Sequence, residues 1–334
     1  MKPADHPSVK HGRIGVLLIN LGTPDAPEAA AVRKYLAEFL SDPRVVEIPR
    51  VAWLPILHGI ILRTRPKKSA HAYKQVWTEE GSPLAAITRR QSESLQERLG
   101  EDVIVDFAMR YGNPEIGNSL ENLIALGCER ILVAPLYPQY CAATTATAMD
   151  AVVAALAKMR RQPALRSLPP YYDDELHIGA LKSSLESQIA ALDFEPQRLL
   201  LSFHGMPQRT LELGDPYYCH CQKTGRLLSE QLSIPTDIAF QSRFGRAKWL
   251  EPATDQVLDA YPGEGVTRIA IAAPGFSADC VETVEELGIR GREAFLSRGG
   301  EAFARLECLN DSAEGMTMLE ALVRRELAGW LPQP

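Results

Sequence analysis

The chain has 334 residues, 46% of them hydrophobic and 23% charged. That is ordinary globular usage with material for a large core, and it excludes disordered, collagen-like and coiled-coil classes. With 36 Lys and Arg against 42 Asp and Glu the net charge is −6, so no global field favours nucleic acid.

In chain order, the apolar run Ile14–Leu21 is short and meets Thr23-Pro24-Asp25 at once, so it reads as a buried strand (Gly15–Asn20) rather than a secretory signal. A helix over Ala29–Leu40 follows. Val51–Leu62 is strongly apolar and is trailed by Arg63, Arg65, Lys67 and Lys68. It reads as a buried helix, as an apolar lip over a ligand, or as a segment dipping into a membrane interface. The next elements are helix Ser82–Leu99, strand Val103–Met109, helix Pro114–Leu126, strand Arg130–Pro135, helix Ala146–Arg160 and strand Ala164–Leu168. Past Pro169-Pro170 come helix Asp173–Leu192, strand Arg198–Phe203, helix Cys219–Leu232, and strands Asp237–Gln241 and Arg268–Ala273. Helix Asp279–Phe295, strand Ala304–Cys308 and helix Glu314–Leu327 complete the series. Short apolar runs alternating with longer helical patterns mark βαβ units and parallel sheets. No run reaches the ~20 apolar residues of a membrane span. The cysteines (128, 141, 219, 221, 280 and 308) are too few for a disulfide framework. A soluble protein of a reducing compartment is expected.

The two halves share their punctuation. Leu21-Gly22-Thr23-Pro24 after the first strand matches His204-Gly205-Met206-Pro207, and Arg110-Tyr111-Gly112 matches Arg243-Phe244-Gly245. Arg130–Pro135 matches Arg268–Pro274. Two similar doubly wound (Rossmann-like) α/β domains, 1–165 and 166–334, are expected to face each other across a cleft, with the helix 314–330 free to pack on either half. Open α/β sheets bind ligands beyond the carboxyl ends of their strands.

His204 sits at such a strand end, where an imidazole can take a proton near neutral pH or ligate a metal. After Pro274, the helix beginning near Asp279 carries Glu282, Glu286 and Glu293 on one face. Asp279 with Glu282 reads as a capping box, which leaves Glu286 unexplained. A row of carboxylates opposite a histidine suits a hard or borderline cation such as Fe²⁺, or a proton relay. Arg243–Pro252 mixes cations with aromatics, which suits a flat anionic ligand, though Trp249 packed in a core is the plain alternative. Cys219-His220-Cys221, the one close cysteine pair, offers two candidate ligands for a two-iron iron–sulfur cluster, with Cys128, Cys141, Cys280 or Cys308 to complete the four thiolates; the spacing fits no standard pattern, and surface or packed thiols are the plainer reading. There is no dinucleotide fingerprint, P-loop or nucleophile elbow.

Taken together, Asn20–Pro24, Phe39–Asp42, Gly81–Pro83, Pro135–Tyr140, Ser202–Pro207, Gln241–Gly245 with Trp249-Leu250, and Pro274–Thr283 resemble the ferrochelatases over nearly the whole chain. The resemblance implies two chelatase-type domains holding a porphyrin between them. It implies a lyase-class metal chelatase that inserts Fe²⁺ into protoporphyrin IX, the last step of haem synthesis, with no cofactor beyond the substrate iron. It puts the catalytic roles on His204 and Glu282, and the metal path on His204, Glu282, Glu286 and Asp279. Tyr111 and Trp249 would lie against the macrocycle, Ser242 among the substrate-binding residues, and Arg65 and Ser82 near the propionates. The chain starts without an Arg/Ser-rich transit peptide and ends at Pro334 without the cysteine-bearing tail of animal relatives. A bacterial, cytoplasmic enzyme that docks peripherally on the membrane through 51–62 is therefore expected. The alternatives are a coproporphyrin III ferrochelatase and a non-catalytic porphyrin carrier; the acidic row argues against the carrier.

Overall fold

The computed structural model describes residues 10–245 and 247–331. Its strands form two parallel sheets. β1 (Arg13–Thr23), β2 (Val103–Gly112), β3 (Cys128–Pro135) and β4 (Ala164–Ser167) lie in the order β2-β1-β3-β4. β5 (Arg198–His204), β6 (Thr236–Gln241), β7 (Arg268–Ala272) and β8 (Ala302–Arg305) lie in the order β6-β5-β7-β8. One permutation is used twice, each time with a switch of direction beside the central strand. The repeat extends to register, because Arg130 pairs with Ala164 as Arg268 pairs with Ala302. The first sheet runs to Ser167, two residues past a boundary at 165.

These strands form where apolar side chains can be buried on both faces. Val16, Leu17, Leu18 and Ile19 are each 0% exposed, and so are Leu199, Leu200 and Leu201. Continuous apolar runs of this kind belong to parallel sheets covered on both sides. Alternate residues feed different cores. Val16, Leu18, Leu199, Leu201 and Phe203 enter one large core between the sheets, filled by helices Pro83–Leu99, Glu175–Ala190, Tyr217–Ser229 and Ala313–Glu326. Leu17 and Ile19 face outward onto Ile116–Ala125 and Thr147–Leu156. Leu200 and Ile271 face the elements at 254–264 and 282–297.

The last helix returns to the first sheet. Arg98 pairs with Glu320 at 3.2 Å, and Arg166 donates to the carbonyls of Glu326 (2.6 Å) and Ala328 (2.9 Å) while lying 4.2 Å from the Trp330 ring centroid.

Three elements differ from their expected form. β2 runs through Arg110-Tyr111-Gly112, whereas β6 stops at Gln241, so Arg243-Phe244-Gly245 lies in a loop and the two triplets are not equivalent. β8 ends before Leu306, Cys308 and Leu309, whose burial in the following connection imitates a strand. The expected helix 279–295 is a π-helix, Glu282–Gly291, continued by Arg292–Ser297, and Asp279 stands outside it. The Val51–Leu62 segment is helical: Arg50–Ile56, a π-turn at Leu57–Ile61 and Leu62–Val76 run on from one another.

Candidate active site

A cleft opens where the carboxyl ends of the two sheets meet. One side is the end of β1 with Tyr35, Tyr73 and Ser82; the other is His204 with the 275–282 segment that follows β7. Leu136–Tyr137 after β3 lies between them. This is the position that doubly wound sheets reserve for ligands.

His204 is the last residue of β5, and its Nδ1 lies 2.7 Å from the Gly205 carbonyl. A carbonyl can only accept, so Nδ1 carries the proton and Nε2 is left with a free lone pair. The Gly205 amide donates to the Gln241 carbonyl at 2.7 Å, and a Cβ on Gly205 would sit 2.5 Å from that oxygen. Glycine at this position is what lets the histidine turn tuck against β6.

Glu282 opens the π-helix, its carbonyl accepting from Gln241 Nε2 at 3.2 Å. Its carboxylate faces aromatic and cationic neighbours. The Tyr35 phenol is pushed up by burial, by Tyr73 and by Glu282, and Tyr73 by burial and Glu282. Burial pulls the Arg65 guanidinium down while Glu282 opposes it. Burial and Glu282 together push the Cys280 thiol up.

The other carboxylates of the expected row are engaged elsewhere. Glu286 accepts from the Ser242 amide (2.8 Å) and hydroxyl (2.7 Å), with Ser242 held in the left-handed region at φ 65. Asp279 is buried and accepts from Thr283 (2.6 Å), Arg305 (2.8 Å) and Asn310 (2.8 Å). Neither carboxylate nor Ser242 lines the cleft, so the expected metal row divides into a cleft pair, His204 and Glu282, and two anchors, Asp279 and Glu286. Among the described residues no three His, Cys, Asp or Glu side chains converge as a metal site.

Two expected ring contacts are also displaced. Tyr111 is 1% exposed; its hydroxyl donates to Asp42 at 2.9 Å and its ring lies under the Arg110 guanidinium. Trp249 is buried behind the 204–207 turn, its indole N–H donating to the Phe244 carbonyl at 3.0 Å. Each aromatic satisfies its polar end by turning inward, which takes its face away from the cleft. Ser82 does line the cleft and accepts from Thr23 Oγ1 at 2.8 Å. Arg65 reaches from the Leu62–Val76 helix to within 5.0 Å of the Phe244 ring centroid. Cys219 is exposed and Cys221 buried, because positions two apart on a helix point about 200° away from each other.

Several cleft residues were given no role of their own by the sequence, although Tyr137 and Phe276 fall within the family-like stretches. Tyr35 lies in the expected Ala29–Leu40 helix and Tyr73 in a stretch assigned no element, which the structure shows as the Leu62–Val76 helix. Phe276, whose ring centroid is 6.4 Å from that of His204, read as part of a strand-to-helix turn. Tyr137 lines the cleft with a buried hydroxyl that has no protein partner among the described residues.

Residues 13–327 match the ferrochelatase family model. A ferrochelatase of Rhizobium meliloti (strain 1021) is 53% identical, covering 98% of this chain and 98% of the relative. One of Mesorhizobium japonicum is 52% identical over 98% of this chain and 95% of the relative. Among solved structures, SirB from Bacillus subtilis with Fe3+ superposes at a TM-score of 0.59 with 12% identity, covering 96% of this chain and 97% of that one. CbiX, described as the terminal enzyme for biosynthesis of siroheme in denitrifying bacteria, superposes at 0.51 with 13% identity over 95% and 100%. At such identities these two likenesses speak for the fold alone.

Proposed function

The chain belongs to the ferrochelatase family, and from that premise we propose that it inserts Fe²⁺ into protoporphyrin IX, releasing the two pyrrole protons, with His204 and Glu282 as the catalytic pair. The observation that carries this reading is the meeting of these two side chains in one cleft at the strand ends. A free porphyrin holds two N–H protons where the metal must enter, so insertion is a redox-neutral exchange of one Fe²⁺ for two H⁺. His204 Nε2, with its lone pair aimed by the Nδ1 bond to Gly205, accepts pyrrole protons. Glu282, a carboxylate among buried phenols, brings Fe²⁺ to the ring or carries protons away from it. Two protein ligands hold the metal weakly enough to give it up to four pyrrole nitrogens. Tyr35, Tyr137 and Phe276 supply apolar walls against which the ring can be held out of plane, exposing its lone pairs. Ser82, which lines the cleft, and Arg65, which lies against Phe244, are the residues proposed to meet the propionates. Asp279 and Glu286 act by holding the segment that carries Glu282.

We also propose that the enzyme works in the cytoplasm and docks on the membrane surface to pass on its poorly soluble product. No helix among the described residues is long and apolar enough to cross a membrane. Val51 (88% exposed), Ile56 (40%) and Ile60 (58%) nonetheless leave apolar side chains at the surface of a segment followed by the exposed Arg63, Lys67 and Lys68, a mix that suits a membrane interface.

The test is anaerobic Fe²⁺ insertion into protoporphyrin IX and coproporphyrin III side by side, read from metalloporphyrin absorbance. Protoporphyrin is expected to turn over faster. His204→Ala and Glu282→Gln should each lower turnover by ~10²-fold or more while porphyrin binding persists. Faster turnover of coproporphyrin would reassign the substrate, and tight binding without insertion would replace the enzyme by a carrier.

A further inference from the structure

The 275–282 segment has a second face. Behind Phe276 and Ser277, which also line the cleft, lies a separate chamber with room for about one water molecule. Its walls come from both sides of the molecule: Gln91 of the Pro83–Leu99 helix, His177 of the Glu175–Ala190 helix, Asn310 after β8 and Met318 of the last helix.

Three polar atoms of residues lining this chamber are shut off from solvent and have no protein hydrogen-bond partner among the described residues: Gln91 Oε1, His177 Nδ1 and Ser277 Oγ. Gln91 is 3% exposed and His177 1%. The Gln91 amide cannot be turned over, because its Nε2 donates to the carbonyls of Ser277 (3.0 Å) and Asn310 (2.8 Å). Reversing it would set an oxygen against two oxygens, so Oε1 is an acceptor that needs a donor. Buried polar atoms that the protein does not satisfy are ordinarily satisfied by internal water, and one water offers two donors and two acceptor sites.

We propose that this chamber binds a single ordered water, which donates to Gln91 Oε1 and His177 Nδ1 and accepts from the Ser277 hydroxyl. Through it Gln91 and His177 act as positioning residues for the Phe276–Ser277 wall of the cleft. Burial lowers the His177 pKa to about 4, against the opposing pull of Asp174 and the Tyr172 and Tyr171 carbonyls, so its ring is neutral at pH 7 and can accept. A ring so hard to protonate is a poor store for the protons of a reaction, so the water is a strut between elements and not a relay. The inference is independent of the activity proposed above.

The test uses the full chain, without porphyrin or iron. A crystal structure resolved well enough to place waters should show one density peak within hydrogen-bond distance of all three atoms. Ser277→Ala should lose that peak and raise amide exchange at 276–278 several-fold. His177→Phe should do the same, while His177→Gln, which keeps a polar atom, should restore protection. A dry chamber in the unaltered chain overturns the proposal whatever the variants do. So does exchange at 276–278 that stays unchanged in both Ser277→Ala and His177→Phe.

Discussion

Asp279 shows how one carboxylate can look like a ligand in sequence and be held by structural partners in space. It stands three residues before Glu282, where an acid reads as a cap or a ligand, yet its partners Arg305 and Asn310 are 26 and 31 residues away along the chain. With the Asp279 and Arg305 side chains only 7% and 20% exposed, removing the charge strands a guanidinium. Asp279→Asn should therefore cost about 3 kcal/mol in urea denaturation; a change confined to iron affinity, with stability untouched, would return Asp279 to the metal path. Asp42 is the corresponding anchor of the first half. Burial raises its pKa, but hydrogen bonds from Thr147, the Arg44 amide and Tyr111, with the Arg110 charge, hold it below the ordinary carboxylate value. A depressed folded pKa means that Asp42 contributes stability at pH values above its unfolded pKa of about 4 and loses that contribution as pH falls through the folded value. Asp42→Asn should accordingly flatten the acid limb of a stability–pH curve and leave the slope above pH 6 unchanged. That His204 and Glu282 lie at the cleft was legible because strand ends are visible in sequence and both residues fall in family-like stretches. The inward turn of Tyr111 was not, because Asp42, which captures its hydroxyl, stands in a loop whose approach only the fold decides, whereas a core position for Trp249 was one of its two sequence readings.

At the scale of elements, the strands were the most legible part. Runs such as 199–201 are apolar on every residue and are punctuated by glycine or proline, which leaves few alternatives to a buried parallel strand. The Thr254–Ala260 helix was missed because seven residues are too few to show a period. The two central strands end alike for a reason that packing makes plain. Gly22 (φ 113) and Gly205 each lie so close to a neighbouring strand that a Cβ would stand 1.8 Å from the Tyr111 carbonyl oxygen and 2.5 Å from that of Gln241. Alanine should be damaging at both, and worse at Gly22, where clash and a left-handed backbone combine. Thermal melts should show a loss of about 3 kcal/mol or more for Gly22→Ala and a smaller one for Gly205→Ala.

For the whole molecule, the core between the sheets makes the two halves one cooperative unit despite their separate sheets. Leu18 and Leu132 of the first sheet and Leu201 and Phe203 of the second belong to the same buried cluster. Urea unfolding followed by Trp53 alone and by Trp249 alone, in variants that keep a single tryptophan, should give coincident midpoints; two separate transitions would mean that the halves fold independently. The last helix bears most directly on this unity. Leu319, Leu322 and Val323 cover apolar surface that β3 and the Pro83–Leu99 helix expose early in the chain. On the ribosome, a chain growing at roughly 10 residues per second delivers that cover on the order of 20 s after residue 99 has left the tunnel. Throughout that interval the apolar patch beneath the last helix is open, a window in which a chaperone would shelter the nascent chain, and a stop codon ahead of that helix would leave the patch uncovered for good.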